Sequence, residues 1–266
     1  MRFLCGWYLP AESGIMQAPM RIGSVALGDI PRVVGTVCRK ETLHELLSRD
    51  DIPCDVVELR LDRINAKKDE WLAPCRVIEE KLCPVIVTVR LAAEGGGWKD
   101  TDAEREALFA AALEEASAVD IEFRSPLRDR ILAAAEARRK PVILSYHDFE
   151  GTPPLTTLEM LVNDMLSSRG VIAKVATMVR SESDIRILAG LLLRTQPGRV
   201  CVMGMGPLGE GTRVVFPCLG SVLTYGYLDD PGAPGQWDCA SLLELLRRLH
   251  SGFRREVAAH HKDAPP

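Results

Sequence analysis

The 266-residue chain lacks the features that mark membrane proteins, disulfide-stapled domains and nucleic-acid-binding proteins. No stretch approaches the ~18 to 20 apolar residues that a membrane-spanning helix needs. Its eight cysteines include no Cys-x-x-Cys pair, and several lie in apolar runs, where a reduced thiol behaves as a small hydrophobic side chain. The formal net charge of -4 argues against a nucleic-acid partner, because phosphates favour a basic surface. These absences predict a cytoplasmic protein with no membrane and no nucleic-acid partner.

The two ends of the chain differ from its middle. Residues 1–9 carry a single cation and a short apolar run that Gly6 interrupts, which does not fit a signal peptide. We therefore predict a poorly ordered N-terminal extension over 1–25, one catalytic domain over 26–252 and a polar C-terminal tail over 253–266. The adjacent histidines of that tail, His260 and His261, are expected to be disordered and not to bind metal.

Strand-like and helix-like segments alternate through the middle of the chain. Eight short runs rich in β-branched residues occupy 32–37, 55–61, 84–90, 118–123, 141–147, 171–176, 199–205 and 220–226. Helix starts are predicted from capping patterns at Thr101-x-x-Glu104, Thr156-x-x-Glu159, Ser125-Pro126, Ser181 and Asp238. Pro74 is expected to break or restart the helix over 66–82. The alternation predicts an α/β protein made of a single (β/α)8 TIM barrel.

Polar residues cluster where the predicted strands end. Barrel enzymes place their chemistry at the carboxyl ends of the strands, and these ends carry Thr36, Glu58, Arg60, Asp62, Arg90, Asp120, Glu122, His147, Lys174, Met203, Met205 and Tyr225. Residues two apart on a strand share a face, so Glu58, Arg60 and Asp62 should project together into the barrel mouth. A purely structural ion-pair cluster is the alternative. Met203 and Met205 are expected to line an apolar wall.

Lys174 is the residue most informative about chemistry. It lies inside the apolar run 171–176, and burial disfavours an ammonium and makes a neutral, nucleophilic amine available. His147 ends the preceding strand-like run and can shuttle protons near neutral pH. With nearby arginines to bind an anion, this combination predicts Schiff-base chemistry on a carboxylated ketone. A structural pair between Lys174 and a carboxylate remains the alternative.

A series of short motifs then indicates which family of enzymes the chain resembles. They are VELRLD at 57–62, TVR at 88–90, EGG at 94–96, SYHDF at 145–149, KVATM at 174–178, MGM at 203–205, TR at 212–213, GSVLTYG at 220–226 and APGQ at 233–236. With these motifs, over about residues 31–250, the chain resembles the type I 3-dehydroquinate dehydratases, the imine-forming hydro-lyases of the shikimate pathway.

The resemblance implies specific roles. Lys174 would attack the C3 ketone of 3-dehydroquinate to give an iminium, His147 would act as general base and general acid, and Glu94 would orient His147. Because the covalent imine serves as electron sink, no cofactor and no metal are expected. The resemblance also implies a role in aromatic amino acid biosynthesis, and it implies that the protein forms a homodimer.

The resemblance also implies a substrate-binding set. Arg213 would bind the substrate carboxylate, and ring hydroxyls would be held by Thr36, Glu58, Arg60, Arg90 and by Gln236, which reaches in from a Pro/Gly-rich lid loop over 229–236. Two positions depart from the family: Gly232 and Thr212 stand where serine is usual. Since Gly232 offers no side-chain hydrogen bond, we predict weaker substrate affinity with the chemistry retained.

Two other functions stay open at this point. The first is another Schiff-base lyase on the same barrel, an aldolase that cleaves a carbon-carbon bond, because the lysine and the proton shuttle would serve either reaction. The second, from a different class, is a catalytically idle barrel retained for binding.

Overall fold

The computed structural model describes residues 19–64 and 68–253 of the chain. Its centre is a sheet of eight parallel strands, numbered along the chain as β1 (Arg32–Val37), β2 (Val56–Arg60), β3 (Val85–Thr88), β4 (Ala118–Glu122), β5 (Val142–Asp148), β6 (Val171–Met178), β7 (Val200–Met205) and β8 (Leu223–Tyr227). Neighbours in sequence are neighbours in the sheet, and β8 pairs with β1. The Val222 amide donates to the Val200 carbonyl at 2.9 Å, so the sheet also joins between β7 and β8. The predicted TIM barrel is confirmed.

Helices cover the outside of the barrel. They are α1 (Lys40–Glu45), α2 (Leu61–Ile64), α3 (Lys68–Lys81), α4 (Asp102–Glu115), α5 (Arg128–Ala137), α6 (Leu155–Leu166), α7 (Glu182–Arg194), α8 (Thr212–Cys218) and α9 (Cys239–Leu249). One buried cluster fills most of the space between strands and helices and includes Val57, Leu59 and Val87. Within the described residues, no helix is long and apolar enough to cross a membrane.

The alternation of side chains along each strand explains why the site forms inside the barrel. Interior positions low in the barrel are apolar and include Val34, Val56, Ile143 and Ile172. Two residues further along each strand, on the same face, the side chain is polar in every one of these cases, as Lys174 is on β6. A hairpin of Arg21–Ile22 with Val25–Ala26 adds Ile22 to the same interior cluster. The barrel therefore has an apolar floor beneath a polar mouth.

Most predicted boundaries hold, and the exceptions have local causes. All eight predicted strands are present, and the capping box of Thr101 with Glu104 opens α4. The Thr156 box is wrong, because the N-cap residue of α6 is Pro154, two residues earlier, and it provides no side-chain cap. Ser125 is not the N-cap residue either: α5 begins at Arg128 after Leu127, and the Ser125 hydroxyl accepts hydrogen bonds from the Leu127 amide at 3.2 Å and from Arg105 at 3.0 Å.

The break predicted at Pro74 is also wrong. Helix α3 runs through Pro74 without interruption, so the hydrogen bond that proline cannot donate is offset by the burial of Trp71, Cys75 and Ile78 on the inner face of this helix. Ser181 and Asp238 are the N-cap residues of α7 and α9, as predicted. Residues 1–18 of the predicted extension and 254–266 of the predicted tail, with His260 and His261, lie outside the described residues.

Candidate active site

A cavity opens at the carboxyl ends of the strands. All nine site residues predicted from the sequence line it: Thr36, Glu58, Arg60, Arg90, Glu94, His147, Lys174, Arg213 and Gln236. The rest of the lining is apolar or glycine apart from one phenol, and comprises Gly95, Phe149, Ala176, Met203, Met205, Tyr225, Gly232 and Ala233. The prediction that Met203 and Met205 form an apolar wall is confirmed.

Lys174 lies on the interior face of β6 and is 5% exposed. Its Nζ donates to Oδ2 of Asp120 at 2.9 Å and lies 4.0 Å from the centroid of the Tyr225 ring. The carboxylate partner considered at the level of sequence is thus present. Because Lys174 also lines the cavity, the pair is placed where the amine can meet a ligand.

Asp120 is the anionic centre of the barrel mouth. Besides Lys174, it accepts from Nη2 of Arg90 at 2.6 Å and from the Ser145 hydroxyl at 2.6 Å. Burial alone would raise the pKa of Asp120, but Arg90 and Lys174 outweigh it and hold the pKa below its usual value. The carboxylate therefore stays ionised beside the lysine.

A second layer of charges supports Arg90 from outside. Nη1 of Arg90 lies 3.1 Å from Oε1 of Glu122, and the other oxygen of Glu122 accepts from Arg105, a fully buried residue of α4. Oε1 of Glu122 also accepts from the Leu91 amide at 2.9 Å, so this carboxylate fixes the loop after β3. Positive and negative charges alternate from Arg105 to Lys174, and each is satisfied by its neighbours.

His147 and Glu94 form a hydrogen-bonded pair at the rim. Oε2 of Glu94 lies 3.0 Å from Nδ1 of His147 and 3.0 Å from its backbone nitrogen. Burial raises the pKa of Glu94 to about 7, although Arg90 opposes this change. Burial, with Arg90 and Lys174, lowers the pKa of His147 well below 6.5. The imidazole is therefore neutral at pH 7, and a proton on Nδ1 leaves Nε2 free to accept another.

Arg213 offers an unused donor to the cavity. Its Nε donates to the Gly235 carbonyl at 2.9 Å and its Nη1 to the Tyr225 carbonyl at 3.2 Å. Its Nη2 is buried and has no hydrogen-bond partner among the described residues. Burial lowers the pKa of Arg213 to about 10, so the guanidinium is still charged at neutral pH. A buried, charged and unsatisfied donor suits an anionic ligand group.

The loop over 229–236 is docked against β1. The side-chain amide of Gln236 donates through Nε2 to the Thr36 hydroxyl at 3.0 Å. The backbone amide of Gly232 donates to Oε1 of Gln236 at 2.7 Å. Asp229 accepts from the amides of Cys38 and Arg39 at 2.8 Å each. The predicted lid segment thus lines part of the cavity and is held by hydrogen bonds to β1, to the residues that follow β1 and within the loop itself.

The predicted triplet on β2 needs one correction. Glu58 and Arg60 line the cavity, and Glu58 accepts from the Thr88 hydroxyl at 2.7 Å. Asp62 belongs to α2 and does not line the cavity, because the strand ends at Arg60. It binds Arg60 through two hydrogen bonds of 3.0 and 2.8 Å and so holds that guanidinium from behind.

Comparisons with known proteins identify the family of this chain. A family model described as type I 3-dehydroquinase matches residues 33–252. The 3-dehydroquinate dehydratase of Methanocella arvoryzae is 36% identical over 219 residues, which is 82% of this chain and 97% of that protein. The one from Methanococcoides burtonii is 34% identical over 234 residues, covering 86% and 99%.

Solved structures give the same result for the fold. The 3-dehydroquinate dehydratase of Aquifex aeolicus superposes with a TM-score of 0.71 at 27% identity, over 82% of this chain and 98% of that one. The type I enzyme of Clostridium difficile has a TM-score of 0.78 at 22% identity, over 88% and 98%, which shows the shared fold. The resemblance inferred from the motifs is therefore confirmed, and the chain belongs to the type I 3-dehydroquinase family.

Proposed function

We propose that Lys174 forms the imine through which this chain dehydrates 3-dehydroquinate to 3-dehydroshikimate, the reaction of its family in the shikimate pathway. One observation carries the assignment: a buried amine and the unsatisfied donor of Arg213 face the same cavity. An amine nucleophile and an anion-binding cation are what a carboxylated ketone requires.

The proton transfers fall to His147. Once the iminium is formed at C3, its positive nitrogen acidifies the C–H bond on the neighbouring carbon C2, so the imidazole can remove the C2 proton to leave an enamine. The enamine electrons then expel the ring hydroxyl, which departs as water with the proton that His147 has gained. Glu94 holds the imidazole in the tautomer that this step needs, through the 3.0 Å contact with Nδ1. Hydrolysis of the product imine restores Lys174.

The remaining lining residues bind the substrate in this proposal. Nη2 of Arg213 pairs with the carboxylate. Ring hydroxyls are held by Thr36, Glu58, Arg60, Arg90 and Gln236. The guanidinium of Arg90 already binds Asp120, Glu122 and Ser145, so its main contribution is to fix the anion beside Lys174.

We place the protein in the cytoplasm as a homodimer. The seven cysteines among the described residues are free thiols, which suits a reducing compartment. Large apolar side chains are exposed on neighbouring outer helices, among them Met160 on α6, Leu193 on α7 and Val215 on α8, and a second copy could bury them. Sedimentation equilibrium tests this assembly, and a monomer at micromolar concentration contradicts it.

Borohydride reduction tests the imine. In the presence of 3-dehydroquinate, reduction should attach the substrate skeleton to one peptide, and mass mapping should place it on Lys174. Lys174→Arg keeps the charge beside Asp120 but cannot form an imine, so it should give no adduct and no ultraviolet signal of 3-dehydroshikimate. Lys140, a partly buried lysine on the outside of the barrel, serves as the internal control. An adduct elsewhere, or turnover by Lys174→Arg, contradicts the proposal.

A further inference from the structure

Tyr225 has a buried hydroxyl with no assigned task. The residue lies on β8, lines the cavity and is 3% exposed. Its phenol oxygen is fully buried and makes no hydrogen bond to any described residue. A buried hydroxyl without a partner loses its hydration and gains nothing in return, so such groups are rare in folded proteins unless they serve a ligand.

The surroundings hold this side chain in place. Nη1 of Arg213 binds the Tyr225 carbonyl, and the neighbouring Thr224 hydroxyl donates to the Arg213 carbonyl at 2.7 Å. The face of the Tyr225 ring lies against Nζ of Lys174 at 4.0 Å, the geometry of a cation–π contact. Arg213 therefore holds the backbone of Tyr225, and its ring lies directly against the amine.

The phenol is also kept in its protonated form. Burial, reinforced by the negative charge of Glu58, raises the pKa of Tyr225 well above its usual value of about 10. At every pH at which the barrel is expected to work, the hydroxyl can donate a hydrogen bond.

We propose that Tyr225 is a substrate-contacting and specificity-determining residue: its hydroxyl donates a hydrogen bond to an oxygen of the bound polyhydroxylated ring, while its ring face stabilises positive charge on the Lys174 nitrogen. This inference rests on the proposed role of Lys174. A site built with such a donor discriminates against ligands that lack the matching oxygen, because the hydroxyl then stays unpaired.

The variant Tyr225→Phe removes only the hydroxyl and keeps the ring against Lys174. We expect KM for 3-dehydroquinate to rise about three- to tenfold, the range of one neutral hydrogen bond. The melting temperature of the ligand-free protein should be unchanged or higher, because an unsatisfied buried group has been removed. Tyr227→Phe, on the same strand but outside the cavity lining, is the matched control and should leave KM unchanged.

Two results would overturn the hydroxyl assignment: a KM equal to that of the parent protein, or a fall in melting temperature, which would reveal a partner inside the fold. Tyr225→Leu tests the ring separately and should form the borohydride adduct more slowly than Tyr225→Phe. Equal rates would rule out the contribution of the ring. Failure of the imine itself would be recognised independently, because the parent protein would then give no adduct on Lys174.

Discussion

The variant Asp120→Asn tests the charge network that surrounds the amine. When Lys174 is an ammonium, its charge and that of Asp120 are 2.9 Å apart and attract each other by about 6 kcal/mol at an effective dielectric constant of ~20, before desolvation is subtracted. Arg90 lies closer still, at 2.6 Å. Removing one partner of a buried pair leaves the other charge uncompensated, so we expect the free energy of unfolding to fall by about 3–5 kcal/mol at pH 7.

Urea denaturation followed by circular dichroism measures this loss, and its pH dependence gives a second check. Since the pKa of Asp120 is held below its unfolded value, its stabilisation is present above about pH 4 and is lost as the pH falls through the folded pKa. The difference in the free energy of unfolding between the parent and the variant should therefore become smaller at acidic pH. Asp230→Asn breaks an exposed pair with Arg39 and should change stability far less. The network as described would be refuted if Asp120→Asn lowered the free energy of unfolding by less than ~1 kcal/mol at pH 7. It would also be refuted if the difference between parent and variant did not change with pH.

Two further substitutions probe the rim and the lid. In Glu94→Gln, an amide replaces a carboxyl whose pKa is raised to about 7, so the contribution of Glu94 to stability is full below about pH 4 and is lost as the pH rises through 7. The variant should be about 2–3 kcal/mol more stable than the parent at pH 8 and equally stable near pH 4, and its turnover should be slower. Thermal melts at pH 8 in which the parent is the more stable protein would contradict this. In Gly232→Ser, the added Cβ would lie 3.2 Å from Oε1 of Gln236 and 3.6 Å from Nη1 of Arg60, so the Gln236 side chain must shift slightly to admit it. The new hydroxyl should lower KM about two- to tenfold, and an unchanged or higher KM in steady-state assays would show that it does not reach the substrate.

The positions of the site residues were predictable because they depend on local rules. Period-two alternation decides which side chains enter the barrel, and strand ends decide which of them reach its mouth. These rules placed Glu58, Arg60, His147 and Lys174 correctly. They failed for Asp62, because the end of β2 could not be located to within two residues.

Pairings across the barrel were not predictable in the same way. Lys174 and Asp120 are 54 residues apart, and their contact depends on the register of β4, β5 and β6 together. The sequence marks Asp120 as a polar residue at a strand end but cannot say which cation it meets. Arg105 was missed entirely, because a charged residue in an amphipathic helix is normally solvated, and here it lies under the loop that follows β3.

Arg213 contacts both the loop over 229–236 and the space where the ligand anion is proposed to bind. One guanidinium binds the carbonyl of Gly235 in the lid, the carbonyl of Tyr225 in the wall, and has one nitrogen left for a ligand anion. In the proposed site, the substrate carboxylate would bind the same guanidinium that contacts the loop over 229–236, so substrate binding and the position of this loop would be coupled. A substitution of Arg213 would then weaken the binding of the carboxylate and the attachment of this loop together.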